Sequence, residues 1–250
     1  MEAGNTRGDI RFQPTNQVAK RKPYEEMPPL LRDGEGGGVS IHIGDCLSLM
    51  HSWESERFDT ILADPPYNIG YGYKTFGDNL PEEEYAAQQL ALVTEGLRLL
   101  KPGGSFLYLN LPEFCADLWA AVKSLPEAVR WDLMFWTQNS HTTNPFGKLR
   151  QNTRIWLWMK KQGGQAVFNR EFVRDEYRNA DDPRIVMQME KGTFPVWRDF
   201  FHFDPVKNVS PDKTEHPCQL PVEMVCALFG MCTPNGGRVL DPYLGSGTTA

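Results

Sequence analysis

The sequence lacks several features that would place it in particular classes of protein. No apolar run is long enough to cross a membrane, and the N-terminus has no apolar segment of the kind that directs secretion. Its five cysteines are odd in number and none are spaced as C-x-x-C, which indicates neither a disulfide framework nor a zinc site. We therefore expect a soluble, cytoplasmic protein with reduced thiols, no bound metal and no membrane contact.

Positive charge is also scarce, and the formal net charge of −6 argues against an extended surface for a polyanion. One local exception lies between residues 148 and 178, where eight lysines and arginines outnumber three acids. Such a stretch is either a binding patch or a solvated face without a partner. Aromatic residues make up 12% of the chain and include seven tryptophans, which favours a surface on which a flat ligand stacks.

The 250 residues are enough for one large domain, preceded by a polar segment, residues 1–38, that we expect to be a flexible tail. In residues 39–250, strand-like runs alternate with segments of helical period, which predicts an α/β fold with a largely parallel sheet. Residues 162–212 have an irregular pattern and predict an insertion. The predicted strands are 39–45, 58–64, 105–110, 130–138, 153–161 and 237–242, and the predicted helices are 81–100, 112–125 and 220–232.

The sequence DPPY, Asp64 to Tyr67, begins at the last residue of a predicted strand. Two consecutive prolines remove two backbone donors and fix two φ angles, and Pro65 restricts Asp64 to an extended conformation. The carboxylate of Asp64 and the carbonyl of Pro65 are therefore available to accept hydrogen bonds from an outside donor pair, such as an exocyclic NH₂ group. Tyr67 offers a face on which a flat ring can stack.

A second strand end carries the glycine-rich sequence DPYLGSGTT at 241–249. Gly245 and Gly247 would let the backbone approach a ligand closely. GSGTTA also satisfies the dinucleotide fingerprint G-x-G-x-x-G/A, so a nucleotide-binding dehydrogenase is an alternative that rests on this loop alone. In open α/β sheets ligands bind beyond the carboxyl ends of the strands, which predicts a site near both loops.

Five separated motifs together resemble the amino-group DNA methyltransferases, which methylate N6 of adenine or N4 of cytosine with S-adenosylmethionine. They are GDCL (44–47), DPPYNIG (64–70), LKPGG (100–104), TEHPCQLPVEMV (214–225) and VLDPYLGSGTT (239–249). The resemblance covers residues 39–250 and implies a Rossmann-like sheet. Because the amine-site motif precedes the glycine loop, it is similar to the circularly permuted β group of these enzymes.

The resemblance implies a role for each matching residue. The catalytic, amine-holding positions are Asp64, Pro65, Pro66 and Tyr67. The cofactor-binding positions are Asp45, Cys46, His216, Gln219, Pro221, Asp241, Pro242, Tyr243, Gly245, Ser246, Gly247 and Thr248. Tyr243 stands where the family more often has Phe.

The implied reaction is methylation of the N6 amine of an adenine flipped out of double-stranded DNA, as in restriction-modification systems. N4-cytosine methylation is the close alternative, although the leading Asp64 favours adenine. We expect 162–212 to contain the target-recognition insertion, and 68–79 to cover the site, meet DNA or form a plain surface loop. Activity would be at the nucleoid, and a homodimer remains open.

A third alternative is a truncated, weakly active DNA-binding relative. The sequence ends at Ala250, shortly after the glycine loop, where the resemblance implies a further helix and a strand whose terminal acid holds the cofactor ribose. On this interpretation the catalytic domain is incomplete at its C-terminal end. We therefore expect residues 1–250 alone to bind S-adenosylmethionine weakly.

Overall fold

The computed structural model describes residues 38–72, 77–138, 152–169, 172, 182–191, 199–206, 210–211 and 213–250. The chain divides into two compact units. In the smaller unit, the described residues are the helix α4 (Pro183–Glu190) and its immediate flanks. All other described residues belong to the larger unit.

The larger unit alternates helices and strands along the chain. Its helices are α1 (Cys46–His51), α2 (Glu82–Leu99), α3 (Pro112–Ala121), which continues into a 3₁₀ turn at Val122–Ser124, and α5 (Val222–Cys232). Its strands are β1 (Phe58–Ala63), β2 (Leu100–Asn110), β3 (Ala128–Thr137), β4 (Thr153–Lys161), β5 (Phe200–His202) and β6 (Val239–Leu240). The predicted helices and five of the predicted strands are therefore confirmed.

The strands form one sheet in the order β5-β3-β4-β2-β1-β6. Three neighbouring pairs are parallel (β1 with β2, β1 with β6, β3 with β5), whereas β4 is antiparallel to β2 and β3. Because Ile61 pairs with Leu240, the carboxyl ends of β1 and β6 lie side by side. The antiparallel β4 starts at that same edge, since Asn110 at the end of β2 pairs with Ile155.

The sheet is covered on both faces, which explains why its central strands read as continuous apolar runs. Successive residues of β1 point to opposite sides: Leu62 packs with the buried residues of α5, and Ile61 packs with those of α2 and α3. Gly96 lets α2 approach the sheet closely, since a Cβ there would lie 2.1 Å from the ring of Phe106. The result is a three-layer α/β arrangement around a mixed, mostly parallel sheet.

One predicted strand, 39–45, is wrong. Residues 39–43 form no strand in the described structure, and Val39, Ile41 and Ile43 are 66%, 65% and 97% exposed. A β-rich composition makes a strand only where a neighbouring strand supplies hydrogen bonds, and none of the described strands pairs with this segment. Asp45 is consequently not a strand end but the N-cap of α1, where its side chain accepts a hydrogen bond from the Ser48 N–H.

One further prediction needs correction. The irregular pattern of 162–212 does not exclude regular structure, because these residues contain α4 and the strand β5, which extends the sheet beside β3. The glycine-rich sequence after β6 forms consecutive turns up to Thr249. None of the helices in the described part of the chain is long and apolar enough to span a membrane.

Candidate active site

A cleft of about 460 Å³ opens at the sheet edge where β1 and β6 end and β4 begins. Its walls come from four segments: the DPPY corner after β1, the start of β4, the turn before α5 and the glycine loop after β6. The lining residues are Asp64, Pro65, Pro66, Tyr67, Ile69, Tyr71, Arg154, His216, Cys218, Leu220, Asp241, Tyr243, Leu244, Gly245, Ser246, Thr248 and Thr249.

Asp64 and Tyr67 are directly linked within the corner, because the Tyr67 hydroxyl donates a hydrogen bond of 2.8 Å to Oδ1 of Asp64. Burial raises the pKa of Asp64 to about 7. The hydrogen bond from Tyr67 and the charge of Arg154 act in the opposite direction, whereas Asp241 reinforces the rise. The cleft therefore holds a carboxyl group that changes its ionisation near neutral pH.

The corner rests on a chain of buried polar groups. The Tyr85 hydroxyl donates a hydrogen bond of 2.7 Å to the carbonyl of Pro66. The side-chain amide of Asn110 donates to both Tyr85 Oη and Tyr108 Oη, each at 2.7 Å, and Tyr108 donates to Gln89 at 3.0 Å. This chain connects α2 and β2 to the backbone of the corner, which is thereby held in one conformation.

The glycine loop is organised by Asp241. Its Oδ1 accepts a hydrogen bond of 2.8 Å from the Tyr243 N–H, and its Oδ2 accepts one of 2.6 Å from the Thr249 hydroxyl. Gly245 and Gly247 have φ angles of +53° and +81°, a conformation that other residues adopt only with strain. Burial raises the pKa of Asp241.

His216, in the turn before α5, lies directly over the glycine loop. A Cβ at position 245 would be 3.2 Å from Cε1 of His216, so the imidazole and the loop backbone are in close contact. Burial and the positive charge of Lys213 lower the pKa of His216, which favours the neutral ring. Gln219 fixes the same turn by accepting a hydrogen bond of 2.8 Å from the Thr214 N–H.

Most of the residues predicted from the sequence come together in this cleft. The ten that line it are Asp64, Pro65, Pro66, Tyr67, His216, Asp241, Tyr243, Gly245, Ser246 and Thr248. Six others lie outside the lining: Asp45, Cys46, Gln219, Pro221, Pro242 and Gly247. Of these, Asp45 caps α1, Pro221 caps α5, and Cys46 is in hydrogen-bonding contact with Tyr243.

Arg154 is a site residue that sequence reasoning placed elsewhere. It belongs to the basic stretch 148–178, yet its guanidinium lies in the cleft, 5.5 Å from the ring centroid of Tyr67. The position follows from the antiparallel direction of β4, which brings the first residues of that strand to the edge where β1 ends. The one sequence signal for it is an arginine immediately before the apolar run 155–159 of that strand.

Comparison with known proteins finds a family whose profile matches most of the chain. The profile of a family described as DNA methylase, comprising N6 and N4 methyltransferases, matches residues 58–250. Among curated proteins, the Type II methyltransferase M.ScaI of Streptomyces caespitosus is 27% identical over 92% of this chain and 75% of its own. The Type II methyltransferase M.BamHI of Bacillus amyloliquefaciens is 28% identical over 84% of this chain, which spans 50% of that relative.

Solved structures share the fold at low sequence identity. A complex of M1.HpyAVI with S-adenosylmethionine superimposes with a TM-score of 0.52 at 20% identity, covering 83% of this chain and 84% of the other. The cytosine-N4-specific PvuII DNA methyltransferase has a TM-score of 0.58 at 15% identity, covering 80% of this chain and 72% of its own. Both neighbours have the Rossmann-like fold that the sequence predicts.

Proposed function

Because the chain belongs to the DNA methylase family of N6 and N4 methyltransferases, we propose that it methylates the N6 amine of an adenine in duplex DNA, with S-adenosylmethionine as the methyl donor. The arrangement that carries this proposal is the half-buried Asp64 carboxyl beside the Pro65 carbonyl, with the Tyr67 ring fixed next to them. Since the amine of a paired base is inaccessible, the base must be flipped into the cleft.

The corner would act on the amine through hydrogen bonds. The lone pair of an exocyclic base amine is delocalised into the ring, so the amine is a poor nucleophile. Asp64 and the Pro65 carbonyl would accept hydrogen bonds from its two N–H groups and draw the nitrogen toward tetrahedral geometry. The same two acceptors stabilise the positive charge that develops on nitrogen, and their fixed positions avoid reorganisation during the reaction.

Asp64 is also suited to take up the proton that the methylated nitrogen must lose. A group accepts protons efficiently when its pKa is close to the working pH, and burial raises the pKa of Asp64 to about 7. Tyr67 already occupies Oδ1 of Asp64, so Oδ2 is the oxygen that we assign to the amine. The proton would then reach bulk water from that oxygen after the product leaves.

The cleft is large enough for a small-molecule cofactor. Its volume of about 460 Å³ is within the usual range for small-molecule sites. Gly245 brings bare backbone to the wall beside His216, and Ser246 and Thr248 add hydroxyl groups to the lining. We assign these residues, with Asp241 and Tyr243, to holding S-adenosylmethionine, which supplies an electrophilic methyl group when it is bound.

The choice of adenine over cytosine rests on the leading acid of the corner. In the resemblance described above, Asp in the first position favours adenine, and here that position is Asp64.

We also assign sequence recognition to the insertion at 162–212. Its described portion includes β5, which extends the sheet beside β3.

The test is methyl transfer from tritiated S-adenosylmethionine to DNA from a host that lacks DNA modification, followed by digestion and mass spectrometry. We expect N6-methyladenine, and we expect its loss in Asp64→Ala. Asp117→Asn on the exposed face of α3 is the matched control and should behave as wild type. N4-methylcytosine as the product would contradict adenine specificity, and no transfer to any DNA would contradict the proposal as a whole.

A further inference from the structure

The buried carboxylate of Asp78 holds the segment that follows the DPPY corner. Asp78 is only 4% exposed. Oδ1 accepts a hydrogen bond of 2.7 Å from the Asn68 N–H, and Oδ2 accepts bonds of 3.2 Å and 3.0 Å from the N–H groups of Ile69 and Tyr71. Three backbone donors thus converge on one acid.

Asn68 makes a second connection across the base of the same segment. Its side-chain amide donates to the Leu80 carbonyl at 2.9 Å and accepts from the Leu80 N–H at 2.7 Å. The φ angle of Asn68 is +57°, a conformation that asparagine tolerates better than most residues. We refer to Asn68, Asp78 and Leu80 with these hydrogen bonds as the clasp.

The clasp fixes the backbone of two residues whose side chains line the cleft. Ile69 and Tyr71 both line it, yet they are 57% and 42% exposed. A buried carboxylate costs free energy unless it is well paired, and here its partners are the backbone groups that carry these two residues. The arrangement fixes the backbone that carries two exposed side chains, which does little for the core but suits contact with a partner.

We propose that Asp78 is a positioning residue that presents Ile69 and Tyr71 as an apolar wedge to the DNA base stack beside the target base. This inference rests on the proposed function, since it concerns the DNA that enters the same cleft. Apolar side chains inserted between bases weaken stacking, and an aromatic ring can replace part of the stacking that a flipped base gives up. The wedge would therefore lower the cost of flipping.

A merely structural role for the clasp predicts different behaviour. If Asp78 served only to stabilise the fold, its loss would impair cofactor binding and methylation of every duplex alike. If it positions a wedge, the loss should matter most where the target base is firmly paired. A mismatch opposite the target base removes part of the flipping cost and should compensate for the missing wedge.

The experiment compares wild type, Asp78→Asn, Ile69→Ala and the control Asp117→Asn on two duplexes that contain a mapped methylation site. One duplex is fully paired, and the other has a mismatch opposite the target base. We expect Asp78→Asn and Ile69→Ala to lower kcat/KM on the paired duplex by about tenfold to a hundredfold and to approach wild type on the mismatched one. Calorimetry with S-adenosylmethionine should give unchanged affinity for Ile69→Ala.

Each outcome bears on the inference. Equal losses on both duplexes, or wild-type activity of Ile69→Ala on the paired duplex, would overturn it while the proposed function stands. Ile69→Ala removes an exposed side chain, so it remains informative even if Asp78→Asn fails to fold. A wild-type protein that methylates neither duplex nor any other DNA would overturn the proposed function, and this inference with it. A 2-aminopurine at the target position gives an independent measure of flipping, and its fluorescence should rise less with the two variants.

Discussion

Tyr67 donates a hydrogen bond of 2.8 Å to Oδ1 of Asp64, three residues earlier in the same corner. The tyrosine is therefore more than the flat ring that the sequence offers for stacking. It fixes its own orientation through the carboxylate, occupies one of the two carboxylate oxygens, and counteracts the rise in the pKa of Asp64 that burial causes. One side chain thus affects both the shape and the ionisation of the site.

Replacement of Asp64 by Asn should remove the charged acceptor while keeping its size. We expect kcat for methyl transfer to fall by about a hundredfold or more, as for other preorganised hydrogen-bonding groups in transition-state stabilisation. The affinity for S-adenosylmethionine, measured by calorimetry, should change little because other residues are assigned to the cofactor. The matched control is Asp117→Asn on α3, and a similar fall in that variant would contradict the prediction.

The pH dependence of activity should follow the ionisation of Asp64. In the proposed mechanism the group accepts hydrogen bonds from the amine as a carboxylate, and burial raises its pKa from 3.8 to about 7. We expect kcat/KM to rise with pH through about 7 and then to level off. Because the folded state binds this proton more tightly than the unfolded state, the free energy of unfolding should fall as the pH rises from about 4 to about 7. Urea denaturation of Asp64→Asn across this range should lack that part of the decrease.

Removal of the Arg154 charge should shift the dependence of kcat/KM on pH. Its positive charge lowers the pKa of Asp64, so its removal should raise that pKa further and shift the rise in kcat/KM to higher pH. Arg154→Met tests this, and Arg154→Lys is the control that keeps the charge. We expect the profile of the lysine variant to stay close to wild type. Identical profiles for the methionine variant and wild type would contradict the electrostatic role.

Tyr85→Phe should lower both the stability of the protein and its activity, because Tyr85 supports the backbone of the corner. The change removes the donor to the Pro66 carbonyl and an acceptor of the buried Asn110 amide, at a cost of about 1–3 kcal/mol in stability. We expect kcat to fall as well, because the corner loses its fixed geometry. Tyr108→Phe removes a comparable buried hydroxyl that contacts Asn110 and Gln89 but not the corner. It should lower stability in urea denaturation without a matching fall in kcat.

The two glycines of the loop should respond differently to alanine. Gly247→Ala introduces only the strain of a positive φ, about 1–2 kcal/mol, since nothing lies within 4 Å of the added Cβ. Gly245→Ala adds a close contact with His216 to the same strain. We expect calorimetry to show a larger loss of S-adenosylmethionine affinity for Gly245→Ala. Because His216 is itself assigned to the cofactor, the double variant is compared with His216→Ala alone. If the contact is responsible, Gly245→Ala should cost less affinity in the His216→Ala background than in wild type, and an equal cost would point to strain alone.

Sequence patterns predicted this fold well wherever the signal is local. The helical period of 81–100 and the apolar run 58–64 correspond to α2 and β1. The meeting of the corner with the glycine loop was also predictable, because parallel strands end at one edge. Pairing between distant segments was not: 39–45 has the composition of a strand but no described partner, and the site of Arg154 depends on the direction of β4.

Side-chain partners were the least predictable part of the site. DPPY indicates two acceptors and a ring, but not that the ring's hydroxyl bonds to the acid. The glycine-rich sequence 68–79 suggested a cover, a DNA contact or a plain loop, and nothing in it identified Asp78 as the acid that organises its start. Hydrogen bonds of this kind depend on backbone N–H groups, which every residue except proline has, so residue types do not reveal them.

The parallel pairing of β1 with β6 has a consequence for synthesis of the protein. Ile61 and Leu240 are register partners, although one emerges from the ribosome far earlier than the other. The segment from β1 to β2 already contains the DPPY corner and the buried chain from Pro66 to Gln89, and chains fold from the N-terminal side as they are made. The half of the cleft formed by the corner can therefore be assembled before the half formed by the glycine loop exists, and the complete cleft is present only when β6 has joined the sheet.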